Sequence, residues 1–251
     1  MDLPCNTPGA TCASGIDAAT IFTRAQAAWN QRFVPPYESF TLPCASTFLA
    51  DRCTGNPTVQ FIVRLSDGRT YAHTIAADGS QTSVLMRGGY VYGPAGAPFG
   101  FYRRRPAPGA TLPPAPPNLA ADPIATIATV SVVDRAYDIT LAGIETIDPH
   151  RCYHLRLRPL RDPQNYPLRD VWVDTSTYDV VRLTYVQPFN TNLATVTYDF
   201  APVGSQNVWS IVHIDATATI HDLLATHTDH VSEDLHDIEF PASEPDDYFT
   251  P

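Results

Sequence analysis

The sequence predicts an α+β protein that is mostly antiparallel β-sheet, with one amphipathic helix near its start. The main observation is the segment 127–185, where apolar and polar residues alternate with a period of two in four successive runs. The apolar positions of the four runs are Tyr137, Ile139 and Leu141; Tyr153, Leu155 and Leu157; Val171 and Val173; and Val181, Leu183 and Tyr185. Such alternation is typical of an antiparallel sheet with one buried and one solvated face.

Residues that favour turns separate these runs. Gly, Pro, Asp, Asn, Ser and Thr are concentrated at 142–144, 147–150, 161–165 and 174–177. These residue types supply the backbone conformations and local hydrogen bonds that turns need. We therefore predict a meander, in which each strand pairs with the next.

A helix is predicted within residues 14–33. Asp17 lies in its first turn, where the helix dipole favours an anion, and Pro35-Pro36 follow its end. Because its apolar residues recur at helical spacing, we expect their stripe to cover the apolar face of the sheet. The apolar positions are Ala18, Ile21, Phe22, Ala25, Ala28 and Trp29.

Shorter alternating runs predict further strands on both sides of the meander. The Asp67-Gly68 dipeptide predicts a hairpin between two of them. Phe240 is expected to be a last apolar anchor. The additional strands are predicted at 37–42, 59–65, 70–75, 82–87, 193–200, 208–218 and 219–231.

The segment 88–123 is rich in Gly and Pro, and proline at that density excludes a helix interior or a central strand. Long irregular segments are usually either disordered or functional covers. One interpretation is a lid over an apolar cavity, with the aromatic residues Tyr92, Phe99 and Phe101 pointing inward and the arginines of 103–105 at the rim. The other is an exposed loop with solvated arginines.

The chain of 251 residues is expected to form a single domain, 1–251, with a loose N-terminal arm at 1–13 and a loose acidic tail at 243–251. No run approaches the roughly 18 apolar residues of a membrane helix. Residues 1–4 lack the basic and apolar regions of a signal peptide, so the chain begins at a mature end or the protein is cytosolic.

Charge is unevenly distributed along the chain. Residues 1–182 hold all 16 basic residues, each an Arg, and 15 of the 26 acids, whereas residues 183–251 hold 11 acids and no base. This distribution predicts an acidic surface near the C-terminal end. Because phosphate binding needs a contiguous basic face, the distribution argues against nucleic acid as a partner.

The five cysteines lack the Cys-x-x-Cys spacing of zinc and redox sites. Cys44 and Cys53 flank one loop, and Cys5 and Cys12 flank another, so two local disulfides in an oxidising compartment are expected, with Cys152 unpaired. The alternative is five thiols in a reducing cytoplasm.

Catalytic and metal motifs are weak. The sequence has no nucleophile elbow, no phosphate-cradling loop and no dinucleotide fingerprint, so we expect no enzyme activity and no cofactor. Metal-ligand residue types cluster near the C-terminus, but their spacing is diffuse, so we expect no metal site and interpret the cluster as a polar outer face of edge strands. The cluster contains His221, Asp222, His227, Asp229, His230, Glu233, Asp234, His236 and Asp237.

One hairpin carries a family resemblance. A strand ending in Trp172-Val173-Asp174 is followed by a turn at 175–178 and by a strand that returns with Val180-Val181-Arg182. This pattern resembles the central hairpin of the periplasmic lipoprotein carriers, the LolA-like and LolB-like superfamily, and residues 17–240 could follow that plan. The resemblance implies a half-barrel, a strongly curved antiparallel sheet whose concave apolar face is covered by helices and accommodates acyl chains.

The function implied by this resemblance is non-catalytic binding of a lipid, a lipidated protein or another hydrophobic ligand in the cell envelope, by a monomer with possible peripheral contact to the envelope. Two alternatives remain open: a protein-interaction or sensor domain, and a metal-dependent enzyme that uses the C-terminal His and Asp residues. The residues expected to form the apolar wall are Trp29, Phe61, Val63, Tyr153, Leu155, Leu157, Val173 and Leu183.

Overall fold

The computed structural model describes residues 16–46, 58–66, 69–75, 81–87, 90–92, 137–160, 168–189, 192–221 and 226–249. These residues form one α-helix, two short 3-10 turns at Cys44–Ser46 and Asp246–Phe249, and thirteen strands. The helix is α1 (Ala18–Asn30), and the strands are β1 (Tyr37–Pro43), β2 (Thr58–Arg64), β3 (Arg69–Ile75), β4 (Gln81–Arg87), β5 (Tyr90–Tyr92), β6 (Tyr137–Ile147), β7 (His150–Pro159), β8 (Leu168–Asp174), β9 (Val180–Phe189), β10 (Asn192–Val203), β11 (Val208–His221), β12 (Thr226–Asp234) and β13 (His236–Glu239).

The described strands form two antiparallel sheets, neither of which is closed into a barrel. The larger sheet has the order β12-β11-β10-β9-β8-β7-β6, and the smaller sheet has the order β13-β1-β2-β3-β4-β5. The predicted meander is confirmed, because β6 to β9 pair consecutively. The hairpin predicted at Asp67-Gly68 is also present, as β2 pairs with β3. The protein is therefore mostly β with one described helix, as predicted.

The two sheets meet where one stretch of chain passes from the edge of one to the edge of the other. β12 pairs with β11, and β13, one residue further on, pairs with β1. The residue between them, Leu235, is buried, and its backbone N–H donates to the carbonyl oxygen of Val212 at 2.9 Å. A strand was predicted at 219–231, but β11 continues to His221 and β12 begins only at Thr226.

Helix α1 is shorter than the predicted 14–33. Asp17 is its N-cap: Oδ1 accepts from the backbone N–H of Thr20 at 2.9 Å, so the helix begins directly after it. At the other end the N–H groups of Gln31 and Arg32 reach back to the carbonyls of Ala28 and Trp29, which closes the last turn.

One core joins α1 to the larger sheet, and we call the sheet face that contacts the helix the concave face. The helix contributes Ile21, Phe22, Ala25 and Trp29, and strands β6 to β11 contribute the opposing side chains. Val180 belongs to this core, whereas the prediction placed Val181 there. A register shift between Trp172 and Val173 in the β8–β9 ladder explains the difference, because a shift of one residue exchanges the faces.

The C-terminal end is folded, so the expectation of a loose tail is wrong for its described residues. Phe249 is fully buried against Ile62 and Leu85 of the smaller sheet. Tyr248 stacks on Tyr71 with ring centroids 4.4 Å apart, and Arg69 donates to the carbonyl oxygen of Phe249. Two aromatic residues thus offset the cost of ordering an otherwise acidic segment.

Several predicted features lie outside the described residues. These are the N-terminal arm at 1–13, most of the Gly- and Pro-rich segment, including Phe99 and Phe101, and the last two residues of the tail. In the part that is described, α1 has 13 residues, and no helix has the length and apolarity needed to cross a bilayer.

Candidate ligand-binding site

Most of the predicted wall residues lie in the single core beneath α1. Trp29, Leu155, Leu157, Val173 and Leu183 belong to this core and are at most 6% exposed. Tyr153 is half-buried and packs against it. The alternation therefore placed the five strand residues on one face of the larger sheet, and the helical spacing placed Trp29 on the side of α1 that packs against it.

Two predicted wall residues lie elsewhere. Phe61 and Val63 are on β2 in the smaller sheet, and Phe61 stacks on Phe40 with ring centroids 5.2 Å apart. Of the predicted lid residues, Tyr92 ends β5 and the other two lie outside the described residues. Sequence periodicity identifies which residues share a face within a strand, but it does not identify which sheet the strand joins.

In this structure α1 occupies the concave face. The indole of Trp29 meets the ring of Phe200 edge to face, with centroids 5.3 Å apart, and Ile21, Phe22 and Ala25 have no exposed surface. An acyl chain could occupy the same space only after the helix moves away.

Polar contacts fasten α1 to the loop between β8 and β9. Arg24 Nη1 donates to the Tyr178 hydroxyl at 2.7 Å, and its guanidinium lies 5.0 Å from the centre of that ring. Arg32 donates to Asp179 Oδ1 through Nη2 at 2.8 Å and through Nε at 3.3 Å. The Arg24 contact is exposed, whereas the Arg32 contact is partly buried.

A pocket lies beyond the C-terminal end of α1, where the helix, the larger sheet and the smaller sheet meet. Its enclosed part is about 30 Å³, room for a few water molecules, and its empty volume is about 380 Å³ when the open mouth is included. Phe33 and Val34 at this pocket are 64% and 61% exposed. Its lining also includes Trp29, Arg32, Glu38 and Trp209. We call it the Arg32 pocket.

Arg32 is the central polar group of this pocket. Its guanidinium carbon lies 4.2 Å from the ring centre of Trp29 and 4.4 Å from that of Trp209. Nε and Nη2 are used by Asp179, but Nη1 is buried and has no hydrogen-bond partner among the described residues. Burial lowers the pKa of Arg32, although Asp179 opposes this effect. The sequence reasoning missed this site, because no local pattern relates Trp29 to Trp209.

Glu38 is the acidic group of the same pocket. The Ser210 hydroxyl donates to its carboxylate, which links β1 to β11 across the junction of the sheets. Burial raises the pKa of Glu38, and the hydrogen bond from Ser210 only partly opposes that rise. The carboxyl group therefore takes up a proton more readily than an exposed glutamate does.

Asp174, the last residue of the Trp-Val-Asp motif, holds the turn after β8. Its Oδ1 accepts from the backbone N–H groups of Ser176 and Thr177 at 2.7 and 3.0 Å, and its Oδ2 contacts His150 Nδ1 at 2.9 Å. Burial alone would raise the pKa of Asp174, but these hydrogen bonds and one from the Ser176 hydroxyl hold it well below its usual range. The motif therefore has a structural role in this hairpin.

The opposite face of the larger sheet carries a row of polar and aromatic side chains. His154 stacks on Trp172, with ring centroids 4.3 Å apart. Its ring nitrogens contact Glu145 Oε1 at 2.8 Å and Asp170 Oδ1 at 2.7 Å, and Trp172 Nε1 donates to Glu145 Oε2. The row fits the solvated face predicted by the alternation.

Two cysteines are described. Cys44 is disulfide-bonded, and its partner lies outside the described residues, so the pairing with Cys53 stays a prediction. Cys152 is free and buried, as predicted, and burial together with the nearby charge of Asp174 raises the pKa of its thiol to about 11. A thiol with that pKa is a poor nucleophile at neutral pH.

Two residues of the predicted C-terminal cluster, Asp234 and His230, form separate pairs with His213 and Asp215. His213 Nδ1 lies 2.7 Å from Asp234 Oδ1, and His230 Nε2 lies 2.8 Å from Asp215 Oδ2. Within the described ranges, no three His, Cys, Asp or Glu side chains are grouped so that they could hold a metal ion. Antiparallel pairing of β11 with β12 brings these residues together two at a time.

Comparisons with known proteins give one family and several solved structures. A family model described as "Uncharacterized protein" matches residues 129–251. No curated protein matches the chain. A LolA superfamily protein from Nitrosomonas europaea matches with 16% identity and a TM-score of 0.39, over 94% of this chain and 98% of that one.

Two further structures match over a similar extent. A DUF1329 family protein from Desulfovibrio piger has 15% identity and a TM-score of 0.38, over 94% of this chain and 98% of that one. A putative outer membrane lipoprotein-sorting protein domain from Vibrio parahaemolyticus has 13% identity and a TM-score of 0.42, over 91% and 95%. The chain is thus similar to one LolA superfamily protein and to one putative lipoprotein-sorting protein domain.

Proposed function

We propose that this protein is a non-catalytic carrier that binds a lipid, a lipidated protein or another hydrophobic molecule on the concave face of the larger sheet. The observation that carries this proposal is that, among the described residues, one amphipathic helix, α1, covers this apolar face, with polar contacts at its edge. In this state α1 fills the binding space, and ligand entry displaces it.

The free energy of docking α1 on the concave face and the free energy of binding an acyl chain there are comparable. Burying the side chains of Ile21, Phe22 and Trp29 stabilises the docked helix by about 5–9 kcal/mol, at roughly 1.5–3 kcal/mol each. An acyl chain gains about 0.8 kcal/mol per buried methylene, so roughly ten methylenes offset the loss of the helix contacts. A long-chain lipid can therefore compete with α1, and its release is favoured when α1 returns.

The proposed location is the cell envelope, outside the cytoplasm. The disulfide at Cys44 supports this location, because disulfides persist in oxidising compartments and are rare in the cytosol. The names of two similar structures, which refer to the LolA superfamily and to outer membrane lipoprotein sorting, fit the same compartment.

Quenching of tryptophan fluorescence by an acyl chain brominated near its middle tests the proposal. The chain has three tryptophans, of which Trp209 on β11 packs against the core of the concave face and Trp172 lies on the opposite face of the larger sheet. We expect strong quenching in a variant that keeps only Trp209 (W29F/W172F). The matched variant that keeps only Trp172 (W29F/W209F) is expected to stay unquenched.

Native mass spectrometry of protein purified from an envelope fraction provides a second measurement. A retained lipid mass agrees with the proposal. A bare mass together with no quenching of Trp209 overturns it in favour of an interaction domain, and a bound metal mass would favour the metal-dependent alternative. Equal quenching of both variants would indicate nonspecific association and would also count against the proposal.

A further inference from the structure

The Arg32 pocket contains a guanidinium group whose hydrogen-bonding capacity is only partly used by the described residues. The guanidinium lies between two indole rings, two of its nitrogens bond to Asp179, and the buried Nη1 has no partner in the described part of the chain. A buried donor without a hydrogen-bond partner destabilises the protein, and more so when the group is charged. An acceptor placed in the pocket would remove that destabilisation.

Apolar side chains surround the pocket mouth. Phe33 and Val34 are mostly exposed there, and Leu65 and Phe240 complete the apolar part of the lining. The enclosed space holds only a few atoms, which is enough for a small head group. A cation at the base and apolar residues at the mouth match a molecule with an anionic head and an acyl chain.

We propose that the Arg32 pocket binds the anionic head group of an amphiphile, with a carboxylate or phosphate oxygen accepting from Arg32 Nη1 and the chain lying against Phe33 and Val34. This inference deepens the proposed function by naming a ligand class, and it rests on that function for the acyl chain. The site lies at the end of α1, next to the Asp179 contact that holds the helix.

Two carboxyl groups, those of Asp179 and Glu38, lie at the Arg32 pocket and influence how tightly an anion binds there. Asp179 competes for the guanidinium, since it occupies Nε and Nη2. Glu38 lines the pocket, and because burial raises its pKa it takes up a proton more readily than an exposed glutamate, which lessens its repulsion of an incoming anion. Removing the Asp179 charge should therefore strengthen anion binding, whereas damage to the fold would weaken it.

Three ligands with the same chain and different heads test the proposal: dodecanoate, dodecyl phosphate and dodecan-1-ol, below their aggregation concentrations, with dissociation constants measured by titration calorimetry. We expect the tighter of the two anions to bind at least about tenfold more tightly than the alcohol, the effect of one charge-assisted hydrogen bond. Its identity distinguishes a carboxylate head from a phosphate head. Arg32→Gln should remove the difference between anion and alcohol while leaving alcohol binding in place.

Two further variants distinguish the head-group preference from general damage to the fold. Asp179→Asn should tighten anion binding severalfold more than alcohol binding, because loosening α1 affects both ligands alike whereas freeing the guanidinium favours the anion alone. Arg158→Gln removes the same charge from an exposed site outside the pocket and should change neither. Equal binding of anion and alcohol to the unmodified protein overturns the head-group proposal and leaves the carrier function standing, whereas no binding of any of the three overturns both.

Discussion

Arg32 Nη2 donates to Asp179 Oδ1 at 2.8 Å, which ties the C-terminal end of α1 to the loop between β8 and β9. The two side chains are 11% and 21% exposed, so water screens the pair only partly. The contact joins residues that are 147 positions apart in the sequence, and it holds the helix that covers the concave face.

Asp179→Asn is expected to loosen the end of α1. Loss of a partly buried, charge-assisted contact should lower the free energy of unfolding by about 1–3 kcal/mol and increase hydrogen exchange of the helix amides. Denaturant unfolding and hydrogen–deuterium exchange measure the two effects. Asp138→Asn breaks the exposed pair with Arg158 and should cost less than about 1 kcal/mol. Equal costs for the two variants would contradict this role of the contact.

Ile21→Ala is expected to lower the free energy of unfolding by about 2–5 kcal/mol, because Ile21 is fully buried on the side of α1 that faces the sheet. Thr23→Ala, on the exposed side of the same helix, should change it by no more than about 0.5 kcal/mol. If α1 competes with ligand, Ile21→Ala should also tighten lipid binding, since it weakens the docked helix. Weaker lipid binding would mean that α1 forms part of the ligand site.

Asp174→Asn should destabilise the β8–β9 hairpin by about 1–3 kcal/mol at pH 7, since Oδ1 accepts from Ser176 and Thr177. The folded pKa of Asp174 lies below its unfolded value of about 3.8, so its stabilisation is present above that pH and is lost as the pH falls through the folded pKa. The difference between the native protein and the variant should therefore shrink below about pH 4. Thermal unfolding from pH 3 to pH 7 measures it. Asp148→Asn, at an exposed residue, is the control, and a difference that is constant with pH would contradict the assignment.

Phe249→Ala should lower the free energy of unfolding by about 3–5 kcal/mol, the usual range for a buried phenylalanine, because the ring packs against Ile62 and Leu85. The matched control is Asp247→Asn, two residues earlier and exposed, which should have little effect. Denaturant unfolding of the two variants compares them. An unchanged stability for Phe249→Ala would mean that the end of the chain is loose after all.

Glu38→Gln is expected to raise the melting temperature at pH 8. Burial raises the folded pKa of Glu38 above its unfolded value, so the ionised side chain destabilises the protein at high pH, and this cost disappears as the pH falls below the unfolded value. The gain from Glu38→Gln should therefore vanish near pH 4. Glu145→Gln should instead lower the melting temperature at pH 8, because hydrogen bonds from Trp172 and His154 lower the pKa of Glu145. A loss of stability in Glu38→Gln at pH 8 would contradict the prediction.

The sequence by itself determined the local elements of this protein. The alternation around Leu155 and Leu183 predicted their strands and their buried face, and the spacing of Ile21, Phe22 and Trp29 predicted a helix with one apolar side. These are short-range properties, because side chains repeat every two residues in a strand and about every 3.6 in a helix. One position within these elements was still predicted wrongly. The register shift beside Trp172 places Val180 in the core where the alternation had placed Val181, and such a bulge depends on the partner strand.

Only the tertiary structure decided how these elements combine. It brought Trp209 to the face of Arg32, buried Phe249 on the smaller sheet, and assigned Phe61 to a different sheet from Leu155. The sequence also could not reveal that α1 fills the space expected for a ligand. Periodicity shows that a face is apolar, but what covers that face depends on contacts between residues far apart in the chain, and local sequence carries no record of them.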